Sequence, residues 1–187
     1  MKLLRVIDFT LAFFALVFAS PLMLLIFLIA FIETGMPIFQ QDRLGMNKKK
    51  FKMFKFRTMH VETASLATHL TDPTSVTKFG KFLRFYKLDE LPQLWNVIVG
   101  EMSLVGPRPG LPNQTELTKV RQKLGVFKVK PGITGLAQIK KIDMSKPEEL
   151  AEIDSYMIET MSLKNYFKYL FLTLKGRGHG DQVKITL

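Results

Sequence analysis

At 187 residues, with a formal net charge of +11, 47% hydrophobic residues and no cysteine, the chain has room for one ordinary domain plus an appendage. The missing cysteines exclude disulfides, thiolate zinc sites and cysteine nucleophiles. Apolar content joined to this much positive charge points to anionic membrane lipids, which attract each Lys or Arg by about 1 kcal/mol, with nucleic acid as the rival partner.

Leu11 to Ile32 is an almost continuous apolar stretch, close to the ~20 residues that cross a bilayer as a helix. Ser20 and Pro21 interrupt it near the centre. Pro21 cannot donate to the carbonyl of Val17 and its ring clashes there, so a membrane break is expected, and the Ser20 hydroxyl is placed to take a freed carbonyl. Lys2 and Arg5 precede the stretch, while Arg43, Lys48, Lys49, Lys50, Lys52 and Lys55 follow it. One crossing satisfies the positive-inside rule at one flank only, whereas a re-entrant helix-break-helix hairpin satisfies it at both. Spanning helices also tolerate proline, so both topologies stay open on pattern alone.

The composition then turns mixed, and residues 36–187 read as one catalytic or binding domain seated on residues 1–35. Phe51, Phe54 and Phe56 interleave with cations over 48–57, which predicts a strand. The same interleaving suits single-stranded nucleic acid, but no nucleic-acid motif accompanies it, so no nucleic-acid partner is expected. Residues 63–77 are polar and turn-rich, a predicted loop. His60, His69 and His179 show no metal-ligand spacing. Lys78 to Leu88 forms a basic amphipathic helix whose Phe side suits either the lipid interface or a core, and 166–174 carries the same ambiguity. These apolar segments suit lipid or a second copy of the chain, so a homodimer stays open.

Asp89 and Glu90 then stand side by side, after Lys78, Lys81, Arg84 and Lys87. A carboxylate pair beside cations can hold a metal ion and supply a nucleophile and a base for phosphate chemistry. The same residues also fit a helix start: Asp89 as N-cap, Pro92 in the first turn, an apolar stripe at Leu91, Leu94, Trp95 and Ile98, and Gly100 as terminator. GEMSLVGPRP at 100–109 and KPGITGLAQ at 130–138 are Gly/Pro loops with cations, each a weak anion nest alone.

Taken in order, SP at 20–21, KFRTM at 55–59, LDELPQLWNV at 88–97, GEMSLVGPRP and KPGITGLAQI resemble the bacterial sugar transferase family, and more narrowly a small monotopic phosphoglycosyl transferase. The resemblance implies an α/β fold with a membrane hairpin and interfacial helices at the cytoplasmic face of a bacterial inner membrane. It implies transfer of a sugar 1-phosphate from a UDP-sugar to undecaprenyl phosphate, with Mg²⁺ and release of UMP. Carried over by motif, Asp89 is the nucleophile and a Mg²⁺ contact, and Glu90 positions the acceptor phosphate or manages protons. Arg84, Arg108, Arg57, Lys55, Asp154 and Gln138 are the substrate-binding candidates. The family's arginine after the KPGITGLAQ motif is missing, and Lys140 or Lys141 stands there instead. A membrane-anchored basic scaffold without catalysis is the alternative that the residues alone allow.

Overall fold

The computed structural model describes residues 2–63 and 73–176. Helix α1 (Lys2–Thr34) is followed by strands β1 (Ile38–Leu44) and β2 (Lys50–Phe56), then α2 (Lys78–Phe85) and α3 (Gln93–Val99). After these come β3 (Ser103–Val105), α4 (Thr115–Lys123), β4 (Gly132–Thr134), α5 (Leu136–Ile139), α6 (Pro147–Glu159) and α7 (Leu163–Leu174). The expected mixture of helices and strands is present. β1 and β2 form an antiparallel pair with Phe39 opposite Lys55 and Arg43 opposite Phe51, and β3 pairs in parallel with β4. That second pair runs into the backbone of the GPRP loop: a Cβ built on Gly132 would lie 2.0 Å from the Gly106 nitrogen, so only glycine fits.

α1 stays helical through Ser20 and Pro21, where the sequence predicts a break. The Ser20 hydroxyl donates to the Val17 carbonyl at 2.8 Å, replacing the bond that Pro21 cannot make. One stripe of α1 faces the rest of the chain along its length. Leu4, Ile7, Ala12 and Leu16 join a core with Phe51, Met53, Val97, Met102, Leu104, Met157 and Tyr166. Met23 and Ile26 join a second core with Phe56, Leu83 and Phe79. The other faces of α1 expose Phe9, Phe13, Phe14, Phe18, Leu24, Leu25, Phe31 and Ile32, and by length and composition the helix could cross a membrane.

Polar contacts fix the N-terminal half of α1. Arg5 donates to the carbonyls of Val97 and Ile98 at the end of α3, where the helix dipole favours a cation. Asp8, 3% exposed, accepts from the Ser103 hydroxyl, the Leu104 N–H at 2.9 Å and the Tyr166 hydroxyl at 2.7 Å. At the other end, Glu33 accepts from the Phe79 N–H.

The predicted strand at 48–57 is β2, and α3 ends at Gly100 as expected, with φ of 88°. The predicted basic helix at 78–88 stops earlier, at Phe85, because Lys87 turns left-handed at φ 58°. Its Phe side faces outward: Phe82, Phe85 and Tyr86 are exposed while Leu83 is buried. Asp89 does not cap a helix. It lies inside a single 3-10 turn, Leu88–Glu90, and Pro92 occupies the position before α3, so both carboxylates are released from a capping role. Part of the predicted loop over 63–77, and His69 and His179, lie outside the described residues.

Candidate active site

Four segments converge on the 3-10 turn. β2 presents Lys55, α2 presents Arg84, the turn carries Asp89 and Glu90, and the loop after β3 presents Arg108. Asn96 fastens these parts together from α3: fully buried, it accepts from the Phe54 N–H and donates to the Lys52 carbonyl at 2.8 Å, stitching α3 to the edge of β2. Arg84 is oriented by its Nε, which donates to the Thr58 hydroxyl at 2.8 Å.

Glu90 and Asp89 share a burial but not an environment. Glu90 Oε1 accepts from Arg108 Nη2 at 2.9 Å and lies 3.4 Å from Lys55 Nζ. Burial alone would raise the Glu90 carboxyl, but Arg108 and Lys55 overcome it and hold the group down at about 2. Asp89 is 8% exposed, and no hydrogen bond from a described residue reaches its carboxylate. Burial pushes it up to about 6, with Lys55 opposing and Glu90 adding to the rise. The result is one carboxylate held ionised by fixed cations and another, next to it, to which no described residue donates a hydrogen bond.

Lys87 enters the sequence reading only as one cation of the basic run and not as a site residue. Its left-handed backbone starts the 3-10 turn, and its charge reaches Glu90, Arg108 and Asp89, with burial lowering its own ammonium first. Burial likewise lowers the Lys55 ammonium, with Glu90 opposing.

The other candidates are placed differently. Arg57 Nε donates to the Met36 carbonyl at 2.8 Å and its guanidinium lies 5.4 Å from the Phe39 ring centre, so the contacts it makes are with the start of β1. Asp154, 1% exposed, pairs with Arg121 Nη2 at 2.6 Å. Gln138 is buried against the Gly106 end of the GPRP loop: a Cβ on Gly135 would meet the Gly106 carbonyl at 2.5 Å and Gln138 Oε1 at 2.8 Å. Lys140 ends α5 and Lys141 follows with φ of 60°. Ser20 and Pro21 are exposed on α1. An open cleft of about 470 Å³ lies on the β1 edge, lined by Gln40, Gln41, Asp42, Lys52, Leu111, Pro112 and Asn113; none of the cluster around Asp89 lines it.

Among the described residues no group of three or more Asp, Glu or His side chains could hold a cation. The donor set around Asp89 fits Mg²⁺ in its substrate-bridging form, which needs one or two carboxylates plus phosphate oxygens rather than an all-protein cage. The Asp89 carboxylate, to which no described residue donates a hydrogen bond, is the group such a cation would neutralise.

Comparison with known proteins gives the same direction. The chain is 39% identical over 176 residues to an uncharacterised sugar transferase, EpsL, of Bacillus subtilis (strain 168), an alignment covering 94% of this chain and 87% of that protein. It is 41% identical over 183 residues to the UDP-glucose:undecaprenyl-phosphate glucose-1-phosphate transferase of Escherichia coli (strain K12), covering 91% of this chain and 39% of that one. It is also 37% identical over 171 residues to a UDP-galactose-lipid carrier transferase of Erwinia amylovora, covering 82% and 35%. The chain thus spans most of the Bacillus protein but only about two-fifths or a third of the other two. The sequence model of the bacterial sugar transferases matches residues 1–178, and the chain belongs to the bacterial sugar transferase family.

Proposed function

We propose that this enzyme transfers a sugar 1-phosphate from a UDP-sugar to undecaprenyl phosphate at the cytoplasmic face of a bacterial inner membrane, through a covalent intermediate on Asp89. The observation that carries the reading is the contrast within the dyad: a buried Asp89 carboxylate without a described hydrogen-bond donor, beside a Glu90 whose Oε1 is held by Arg108 and Lys55. Of the two carboxylates, Asp89 is the one to which no described residue donates a hydrogen bond, and this makes it the candidate nucleophile.

In the first step an Asp89 oxygen attacks the phosphorus that bears the sugar. The bond from that phosphorus to the oxygen bridging it to the second phosphorus breaks, and UMP leaves with the electron pair. In the second step a phosphate oxygen of the lipid acceptor attacks the same phosphorus, the bond to Asp89 breaks, and the polyprenyl diphosphate sugar departs from a regenerated carboxylate. Dividing the transfer spares the two anionic substrates a direct encounter. Arg84, Lys55 and Arg108 are the cations placed to receive phosphate oxygens, and Glu90 keeps two of them aimed. Asp89 would hold Mg²⁺, which supplies charge neutralisation to the diphosphate and the departing UMP.

The membrane arrangement we propose is monotopic. Both ends of α1 pack on the same body: Arg5 and Asp8 on α3, β3 and α7, Ile26 and Glu33 on β2 and α2. The stretch between Ala12 and Ile26 rises only about 21 Å, less than the ~30 Å hydrocarbon core. A helix so clasped lies against the lipid with its exposed Phe and Leu faces, continuous through Ser20 and Pro21, and both its ends stay on the side of the body that holds it. The acceptor keeps its tail in lipid and its phosphate at the level of Asp89.

The test is UMP release by the purified protein in nanodiscs, with Mg²⁺, undecaprenyl phosphate and a panel of UDP-sugars. Release that requires acceptor, Mg²⁺ and Asp89 is the expected outcome. A folded protein silent across a broad panel, or one releasing UMP equally well as the Asp89→Asn variant, overturns the reading.

A further inference from the structure

The loop that presents Arg108 is gripped from behind by two buried arginines. Arg43, 4% exposed on β1, donates Nη1 to the Pro109 carbonyl at 2.9 Å, and its Nη2 donates to Gln41 Oε1 at 2.6 Å. Arg121, 2% exposed on α4, donates Nη1 to the Arg108 carbonyl at 2.8 Å, and its Nη2 is the group paired with Asp154 on α6. Successive carbonyls of one dipeptide are therefore each taken by a guanidinium from a different element. On the other side of the same loop, the Gly106 N–H donates to the Thr134 carbonyl and the Gly132 N–H to the Pro107 carbonyl.

Burying an arginine costs several kcal/mol unless its charge and donors are matched, so a buried guanidinium spent on a loop carbonyl needs a structural reason. Prolines at 107 and 109 remove two backbone donors from the loop, which leaves its carbonyls as the handles by which it can be held. Arg offers parallel donors in one rigid plane, allowing Arg121 to hold the loop and Asp154 at once; Lys cannot do both with fixed geometry.

We infer that Arg121, oriented by Asp154 and assisted by Arg43, is a positioning residue that sets Arg108 against Glu90 and so fixes the catalytic cluster, and that Asp154 acts on the reaction through this relay rather than by touching substrate. The inference rests on the proposed transfer reaction for its kinetic consequence but not for its structural one. Catalytic groups must be held within a fraction of an ångström, and displacement of a cation by about 1 Å from a remote change costs on the order of 100-fold in rate.

The experiment pairs hydrogen exchange with kinetics on the full chain in nanodiscs, comparing wild type, Arg121→Lys, Asp154→Asn and Arg43→Lys. Faster backbone exchange confined to residues 103–114 is expected in each variant, with or without a substrate in hand. Unchanged exchange there in all three overturns the inference, whatever the enzyme's donor. In the UMP assay Arg121→Lys lowers kcat about 100-fold with a smaller change in KM. Placed in an Arg108→Ala background, it lowers kcat less than about twofold further, because residues acting through one group do not add. An equal loss in both backgrounds means that Arg121 acts independently of Arg108 and overturns the relay. A wild type that releases no UMP defeats the proposed reaction but leaves the exchange result to decide this one.

Discussion

Asp8 and Asp89 are both buried carboxylates, and their surroundings are opposite. Asp8, in the anchoring half of α1, has its oxygens filled by the Ser103 hydroxyl, the Leu104 N–H and the Tyr166 hydroxyl. Asp89, in the catalytic turn, receives no hydrogen bond from a described residue, although four cationic side chains lie around the dyad. A protein that buries a carboxylate for architecture satisfies it, because an unpaired buried charge costs several kcal/mol. One that buries a carboxylate and leaves it short of donors keeps it for a ligand. By this criterion Asp8 is a fastening, and Asp89 is the carboxylate proposed as the reagent.

The comparison breaks most sharply at Asp89. Asp89→Asn should lower UMP release on the order of 10⁴-fold or more, the scale seen when a covalent nucleophile is removed. It should not weaken the fold. The gap between the ordinary 3.8 and about 6 corresponds to about 3 kcal/mol that the folded state loses by holding Asp89 ionised at neutral pH, and the amide removes that cost. A thermal unfolding midpoint that rises or holds, with turnover gone, is the expected pair of results. A fall in the midpoint as large as the fall in activity would mean that Asp89 is another fastening.

Asp8→Ala should do the reverse. It strands the Ser103 hydroxyl, the Leu104 N–H and the Tyr166 hydroxyl in a buried site, at a cost of about 3 to 5 kcal/mol in denaturant or thermal unfolding. Burial, together with Asp8, already holds the Tyr166 hydroxyl well above the usual tyrosine range, so that phenol stays a donor and needs its acceptor. Turnover per folded molecule should stay within about threefold of wild type, because no reacting group is touched. Loss of turnover without loss of stability would move Asp8 into the chemistry.

The two aspartates were not equally legible. Asp89 stands beside a second carboxylate after a basic run, inside motifs that occur in order along the chain, so it stands out locally as a candidate. Asp8 could not be, because its partner Tyr166 lies 158 residues away. Arg121 was hidden in the same manner: TELTKVRQK reads as a solvated helix face, and only Asp154, 33 residues on, accounts for its burial. β2 announced itself by alternating Phe and Lys, whereas β1, IFQQDRL, carries polar residues whose burial depends on the distant Pro109 carbonyl. The break at Ser20 and Pro21 was read from proline's missing donor. The structure keeps the helix because the Ser20 hydroxyl takes the Val17 carbonyl and because one face of α1 is packed on both sides of that point.

The acid limb of the reaction sharpens the contrast within the dyad. In the proposed reaction Asp89 attacks as its carboxylate, so kcat/KM should fall on the acid side, with a limb no higher than about 6 because bound Mg²⁺ favours the ionised form, while Glu90, held near 2 by Arg108 and Lys55, stays ionised throughout that range. Stability moves the other way. With its folded value above its unfolded one, Asp89 binds a proton more readily in the native state, so its contribution falls as pH rises from about 4 to 6 and is lowest above that. Rate and unfolding profiles measured over the same pH series should therefore cross. A rate that rises as pH falls from 7 to 5 would remove Asp89 from the role of nucleophile.

Lys87 carries the smallest expected effect and joins the two halves of the comparison in one residue. Its backbone sits at φ 58°, ψ 22°, a left-handed conformation that costs a side chain about 1 kcal/mol, and it does so at the residue that begins the catalytic turn. An architectural residue at such a position would be glycine or asparagine, which adopt it with less strain. A lysine is tolerated there when its ammonium is wanted beside Glu90 and Asp89, so Lys87→Gly separates the two contributions. The backbone should relax, raising stability by up to about 1 kcal/mol in thermal unfolding, while KM for the UDP-sugar rises severalfold for want of one cation near the phosphates. Lys87→Arg should keep KM and keep the strain. If Lys87→Gly gains stability and leaves KM untouched, the ammonium is idle and the strain belongs to the turn alone, which would make Asp89 the only residue of this turn held away from its most stable arrangement for the sake of the reaction.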